Sequence, residues 1–171
     1  MDLKQYIRDI PDFPKPGVLF KDITPILKDS KAFLFVIDEL TKDLEGRTVN
    51  AIAAVESRGF IFGAPLALRL GVPFVPLRKP GKLPAETLGV EYALEYGTNR
   101  IEIHKDALKK GEHVVVIDDL LATGGTAAAA CELVNKLGAQ VEKVLFVIEL
   151  SFLSGREKLK GIDVSALLSF D

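Results

Sequence analysis

A chain of 171 residues, 48% apolar and 27% charged, lies in the ordinary globular range and is long enough to bury a sizeable core in one domain. Its formal net charge of −2 argues against a general nucleic-acid binder and requires any basic site to be local. One cysteine, Cys131, and two separated histidines, His104 and His113, exclude an internal disulfide and give no basis for a multi-thiolate or zinc site.

The first residues, Met-Asp-Leu-Lys-Gln-Tyr, lack the apolar segment of a signal peptide, and no apolar run approaches the roughly 18 residues of a membrane span. A cytoplasmic protein without membrane attachment is expected. Leu3 to Ile10 reads as a short amphipathic helix, and the stretch from Pro11 to Pro25, with four prolines, as ordered loop. Asp29 and Ser30 can cap a helix to about Leu44, with Phe33, Ile37, Leu40 and Leu44 on one face. Ala51 to Val55 is a short buried strand. Glu56 to Gly59 then turns into a helix ending near Leu70, where Gly71 suits the left-handed C′ position.

Phe74 to Leu77 is the next strand. From Arg78 to Gly97 the composition loosens: Pro80, Gly81, Pro84, Gly89 and Gly97 interrupt a charged stretch with weak alternation. Twenty such residues inside a domain read as a functional flap. A strand over Arg100 to His104 follows, then the motif described below, a strand over Val141 to Leu150, a short helix over Ser154 to Leu159, and a last strand over Val164 to Phe170. Strands alternating with helices predict an α/β fold with a mainly parallel central sheet flanked by helices, whose ligands bind at the carboxyl ends of the strands.

The most informative segment is Val114 to Thr126, Val-Val-Val-Ile-Asp-Asp-Leu-Leu-Ala-Thr-Gly-Gly-Thr. Four β-branched residues make a strand apolar on both faces, closed by Asp118 and Asp119. A glycine loop opening an Ala- and Leu-rich helix (Thr126 to Leu137) turns backbone N–H groups and the helix dipole toward one anion. The adjacent carboxylates suit hydroxyls or a hydrated cation. Either half alone is most simply a polar turn; together they describe a site for ribose 5-phosphate. The segment is neither a Walker A loop nor a dinucleotide fingerprint. Ser57-Arg58-Gly59 lies in a similar strand-to-helix turn, where Arg58 could grip a second anion in a bidentate fork or remain a solvated surface residue. Arg78, Lys79 and Lys82 at the base of the flap could close over a diphosphate.

The Val114 to Thr126 segment resembles the phosphoribosyl diphosphate (PRPP) motif of type I phosphoribosyltransferases. The resemblance extends to adenine phosphoribosyltransferases through Phe13 to Pro25, Glu56 to Phe60, Arg78 to Pro84, Leu94 to Gly97 and Gly155 to Leu159, in register over nearly the whole chain. It implies the type I phosphoribosyltransferase fold in a single domain over 1–171, with a small N-terminal hood (about 1–28) and a flexible flap (about 78–97). It implies that adenine and PRPP give AMP and diphosphate, with Mg²⁺ carried by the substrate diphosphate and ribose hydroxyls, in a homodimer. Asp118 and Asp119 would hold the ribose hydroxyls, and Ala122, Thr123, Gly124, Gly125 and Thr126 the 5-phosphate. Ser57, Arg58, Arg78, Lys79 and Lys82 would meet the diphosphate.

Leu19, Phe20, Lys21 and Leu150 would bind adenine; many relatives carry Arg at the position of Lys21, which matters little if the backbone makes the contact. Glu95 would handle the proton of the base, Tyr96 would gate the site, and Arg58 would complete the catalytic set. Two alternatives are an oxopurine enzyme of the same fold, which usually places Lys or Arg against the base where none is evident near Leu150, and a non-catalytic PRPP-sensing regulator of nucleic acid.

Overall fold

The structure is a computed structural model that describes residues 1–93 and 97–171. Two compact units divide the chain, Met1–Glu39 and Leu40–Asp171.

In the first unit, Asp2 caps a 3₁₀ turn over Leu3–Tyr6 by accepting from Lys4 N at 3.1 Å. The helix expected to Ile10 stops there, because Arg8–Pro11 (β1) is instead extended and pairs antiparallel with Leu19–Asp22 (β2). Arg8 opposes Asp22 in that register and donates to its carboxylate from Nε at 2.9 Å and Nη2 at 2.7 Å. The stretch expected as loop therefore contains a strand, and after it a short helix, Thr24–Lys28 (α1). Pro11 ends β1, Pro14 and Pro16 fall between the two strands, and Pro25 sits at the helix start, where a missing N–H costs nothing. Ser30–Lys42 (α2) follows as expected, with Asp29 Oδ1 accepting from the N–H groups of Lys31 and Ala32.

The second unit is built on a sheet of five parallel strands. Ala51–Val55 (β3) leads to Arg58–Leu70 (α3) and Phe74–Leu77 (β4). After Thr87–Ala93 (β5) and Thr98–His104 (β6) come His113–Leu121 (β7), Gly125–Lys136 (α4), Gln140–Leu150 (β8) and Val164–Phe170 (β9). The order is β4-β3-β7-β8-β9, so the chain reverses its direction of growth between β3 and β7. Such a switch point opens a crevice at the carboxyl ends of the strands.

Alternation explains the layers. Ala53, Val55, Val116 and Phe146 share one core with α4 residues such as Ala130 and Leu133 and with Val90, Ile101 and Ile103 of β5 and β6. The opposite face carries Ala54 and Ile117, which meet α3 at Gly63: a Cβ there would lie 2.6 Å from Ala54 Cβ and 3.1 Å from Ile117 Cγ2. Both faces are covered, as β-branched runs require. Cys131 is buried in this core, which pushes its thiol up to about 12 and leaves it no nucleophilic role. The buried ammonium of Lys143 is neutralised by Asp43 at 2.8 Å and Asp163 at 3.4 Å.

Within the segment expected as a loose flap, Thr87–Ala93 is a strand paired antiparallel with β6, with Leu88 opposite Ile103 and Val90 opposite Ile101. Gly89 hid the strand from the alternation. The Arg100 guanidinium lies across it, and a Cβ there would be 2.3 Å from Nη2, so a side chain at this position would displace that guanidinium. Among the described residues, no helix is long and apolar enough to cross a membrane.

Close packing at Gly63 sets the distance of α3 from the sheet. Gly63→Val is expected to destabilise the protein by about 3 kcal/mol through overpacking. This would be read as a lower urea midpoint at unchanged m-value; an unshifted midpoint would show that α3 has room to move.

Candidate active site

The acidic pair does not end its strand. β7 continues through Leu121, with Leu120 opposite Ile148 and Leu121 opposite Glu149 of β8. The loop is thus compressed into Ala122–Gly124, and α4 begins at Gly125, one residue earlier than the sequence predicts. Gly124 makes the turn in the left-handed conformation (φ +80), which few other residues adopt. The first N–H groups of α4 have no intrahelical acceptor. They border a cavity of about 70 Å³ lined by the segment Leu120–Ala127 together with Asp118 and Phe146.

Asp119 is buried and Asp118 partly so. Burial pushes the Asp118 carboxyl well above the ordinary range, and the adjacent Asp119 charge adds to the rise. Burial raises Asp119 too, against the pull of the Arg58 guanidinium. Arg58 Nε lies 2.8 Å from Asp119 Oδ2, an ion pair whose angle does not make an ordinary hydrogen bond to that oxygen. Asp119 N–H donates to Asp118 Oδ1 at 2.8 Å. Gly59 permits this crowding, since a Cβ there would lie 3.0 Å from Asp118 Oδ1 and 3.0 Å from Ile117 O. The register of β3 on β7, with Ala54 opposite Ile117, brings the Ser57–Gly59 turn beside the carboxylates.

A second cavity of about 270 Å³ adjoins the first, sharing Asp118 and Thr126, and is walled by Ser57, Arg58, Lys79 and Asp119. Arg78 is engaged otherwise. Its Nε and Nη2 donate to Glu56 Oε2 at 3.2 and 3.0 Å, and its Nη1 donates to Lys82 O at 3.2 Å. Lys79 N–H donates to Glu56 Oε1 at 2.6 Å. Burial alone would raise Glu56, but these hydrogen bonds outweigh it and hold the carboxyl below its usual range. The Glu56–Ser57 peptide is cis. Lys82 is exposed and does not line either cavity.

Sequence reasoning missed Glu56 as the group that orders the base of the flap, and it missed Tyr92. Thr126 Oγ1 donates to the Tyr92 hydroxyl at 3.1 Å, so β5 touches the first turn of α4 directly. The spacing of Val90 and Tyr92 is the signal that could have exposed that strand. Leu150 ends β8, half-buried, opposite Phe170 of β9. In the first unit, Leu19 is exposed, Phe20 packs edge-on against Phe13 at 5.1 Å, and Lys21 is buried with Nζ 2.7 Å from Asp9 Oδ1. Glu95 and Tyr96 lie outside the described residues.

A carboxyl whose pKa is raised by folding contributes stability while protonated and loses it as pH rises through the folded value. Asn mimics the protonated form at every pH. Asp118→Asn is therefore expected to melt about 2–4 °C above the parent at pH 7, the effect of ~1 kcal/mol in a domain of this size. The gain should vanish on acidification toward about pH 4, near the unfolded value. Thermal melts across pH decide it; a lower Tm at neutral pH would contradict the burial argument.

Comparison with known proteins agrees with this geometry. A model of the phosphoribosyl transferase domain matches residues 24–165. An adenine phosphoribosyltransferase from Caldanaerobacter subterraneus is 63% identical over 99% of this chain and 98% of its own. The crystal structure of adenine phosphoribosyltransferase from Thermoanaerobacter pseudethanolicus superposes with a TM-score of 0.97 at 62% identity, covering 99% of this chain and 98% of that one. The Saccharomyces cerevisiae enzyme, complexed with an imino-altritol bisphosphate and adenine, has a TM-score of 0.92 at 45% identity over 98% and 97% of the two chains. By the matched domain, the identity over nearly the whole chain and the superposition, this chain belongs to the adenine phosphoribosyltransferase family.

Proposed function

We propose that this protein is a pentosyltransferase of purine salvage, moving the 5-phosphoribosyl group of PRPP onto adenine to give AMP and diphosphate. One observation carries the reading of the site: two cavities that share Asp118 and Thr126 lie along the carboxyl ends of β3 and β7. The smaller, framed by the N-terminus of α4, suits the 5-phosphate, held by Ala122 to Thr126. The larger, with Arg58, Ser57 and Lys79, suits the diphosphate, and the carboxylates between them face the ribose hydroxyls. Arg78 acts here through Glu56, ordering the turn that carries Lys79, and Lys82 meets the leaving group from the flap.

Loss of diphosphate builds oxocarbenium character on the ribose, which the carboxylates of Asp118 and Asp119 stabilise. Arg58 and Lys79 neutralise the departing charge. Among the described residues there is no cluster of three or more metal-binding side chains. Mg²⁺ would be carried by the substrate diphosphate and the ribose hydroxyls, keeping several of its waters. The ion would supply further charge neutralisation on the diphosphate. Glu95 handles the proton of adenine, with Tyr96 as the gate, and closure of the flap keeps water from the cation.

Contacts with adenine are assigned to Leu19, Phe20 and Lys21 of the hood and to Leu150, as the family resemblance implies. The tie of Lys21 to Asp9 supports a backbone rather than a side-chain contact with the base at that position. The same reading takes 1–171 as one phosphoribosyltransferase domain, the assembly as a homodimer and the compartment as the cytoplasm, without nucleic-acid or membrane partners.

Nucleotide formation from adenine, hypoxanthine, guanine and xanthine, each with PRPP and Mg²⁺, tests the activity. AMP alone is the expected product, and turnover of guanine without adenine would reject the base assignment. Glu95→Ala should lower kcat by about 10²-fold or more, as for loss of a general acid–base; an unchanged kcat with chemistry rate-limiting would remove that role. Replacing Asp118 and Asp119 together by Ala should abolish PRPP turnover in a folded protein. Normal turnover by that variant would overturn the ribose assignment.

A further inference from the structure

The phosphate loop rests on a second backbone. A Cβ on Gly155 would lie 2.2 Å from Ala122 O and 2.9 Å from Leu121 Cδ1, and a Cβ on Gly124 would lie 2.3 Å from Gly155 O. The loop and the 3₁₀ turn Gly155–Leu159 therefore touch backbone to backbone. The turn is entered through Ser154 in the left-handed region (φ +52), a conformation that a residue with a side chain holds only when its surroundings impose it.

Two residues on, Arg156 supplies the surroundings. Its Nε donates to Glu149 Oε1 at 2.7 Å and its Nη2 to Glu149 Oε2 at 2.7 Å, while Nη1 donates to Val164 O at 2.8 Å. Glu149 is buried in β8, and Val164 opens β9. One guanidinium thus fastens the turn to two sheet strands, in a parallel fork that an ammonium cannot reproduce.

We propose that Arg156, anchored on Glu149, is a positioning residue that presses Gly155 against Ala122 and Gly124 and so holds the loop in the shape that receives the 5-phosphate. The inference rests on the phosphoribosyl-transfer reading above. Backbone N–H groups bind an anion well only when fixed within a fraction of an ångström. Without the fork, Ser154 relaxes, Gly155 withdraws and the loop loses its backing. The diphosphate side, carried by Glu56, Arg58 and Lys79 beyond the ends of β3 and β4, is left in place.

The test is calorimetric titration of ribose 5-phosphate and of diphosphate into the parent, Arg156→Ala and Arg156→Lys, with steady-state kinetics alongside. Arg156→Ala should weaken ribose 5-phosphate binding and raise KM for PRPP by about tenfold to hundredfold, the scale of a misplacement of about 1 Å. Diphosphate affinity, KM for adenine and kcat at saturating PRPP should stay within about twofold of the parent. Arg156→Lys, keeping charge without the fork, should fall between, and it carries the same comparison if the alanine variant does not fold. Parental affinity for ribose 5-phosphate in a folded variant would overturn the proposal. So would an equal loss of ribose 5-phosphate, diphosphate and adenine binding, which would mark a purely structural role. A parent protein that binds neither ribose 5-phosphate nor PRPP would instead overturn the reading of function, and this proposal with it.

Discussion

Two carboxylates side by side within a strand covered on both faces, two residues short of its end, set the demand that the surrounding structure answers. Asp118 and Asp119 lose water on folding and repel each other, and both are pushed toward the protonated form. The start of α3 supplies a compensating cation, Arg58, at 2.8 Å. It arrives there because β3 and β7 are adjacent and in register, and because Gly59 leaves room for α3 to start against the end of β7. Stability and function pull in opposite directions at this point. The pair is uncomfortable in the free protein and suited to ligand hydroxyls and a hydrated cation, which offer the polar partners that the core withholds.

Around that pair the site is assembled from backbone contacts rather than from long side chains. Gly63 brings α3 onto the sheet, Gly59 brings the start of α3 onto β7, and Gly124 and Gly155 bring the phosphate loop onto the turn after β8. Where Gly124 meets Gly155 no side chain separates the two backbones, so that contact leaves little freedom to slide. The charged residues hold these surfaces together: Glu56 gathers Arg78 and Lys79 N–H at the base of the flap, and Arg156 grips Glu149 behind the loop. Cations in a phosphate-binding protein thus divide between those that line the cavities and those engaged in internal forks. Arg58 and Lys79 are of the first kind, Arg78 and Arg156 of the second.

Much of this was legible in the sequence. The strands at Ala51–Val55, Phe74–Leu77 and Val164–Phe170 were readable to the residue, because short apolar runs between strong turn formers have few other solutions. Of the β5–β6 pair, Arg100–His104 was legible as a strand and β5 was not. Gly89 and the charged residues hid its alternation, and Arg100 folds over Gly89 from the partner strand. The N-terminal strand was missed for a similar reason: Arg8 is extended because Asp22 waits fourteen residues on, a pairing that no local window contains.

The sequence by itself determined the class of fold and the chemistry on offer, since strand and helix periods, an acidic pair and a glycine loop are properties of consecutive residues. It determined the family as well, because the signature segments occur in order along the chain. Only the tertiary structure decided which of the basic residues line the cavities, where β7 ends, and how near the loop stands to Gly155. Those are distances between segments brought together by packing, and a linear pattern of residue types carries no term for them.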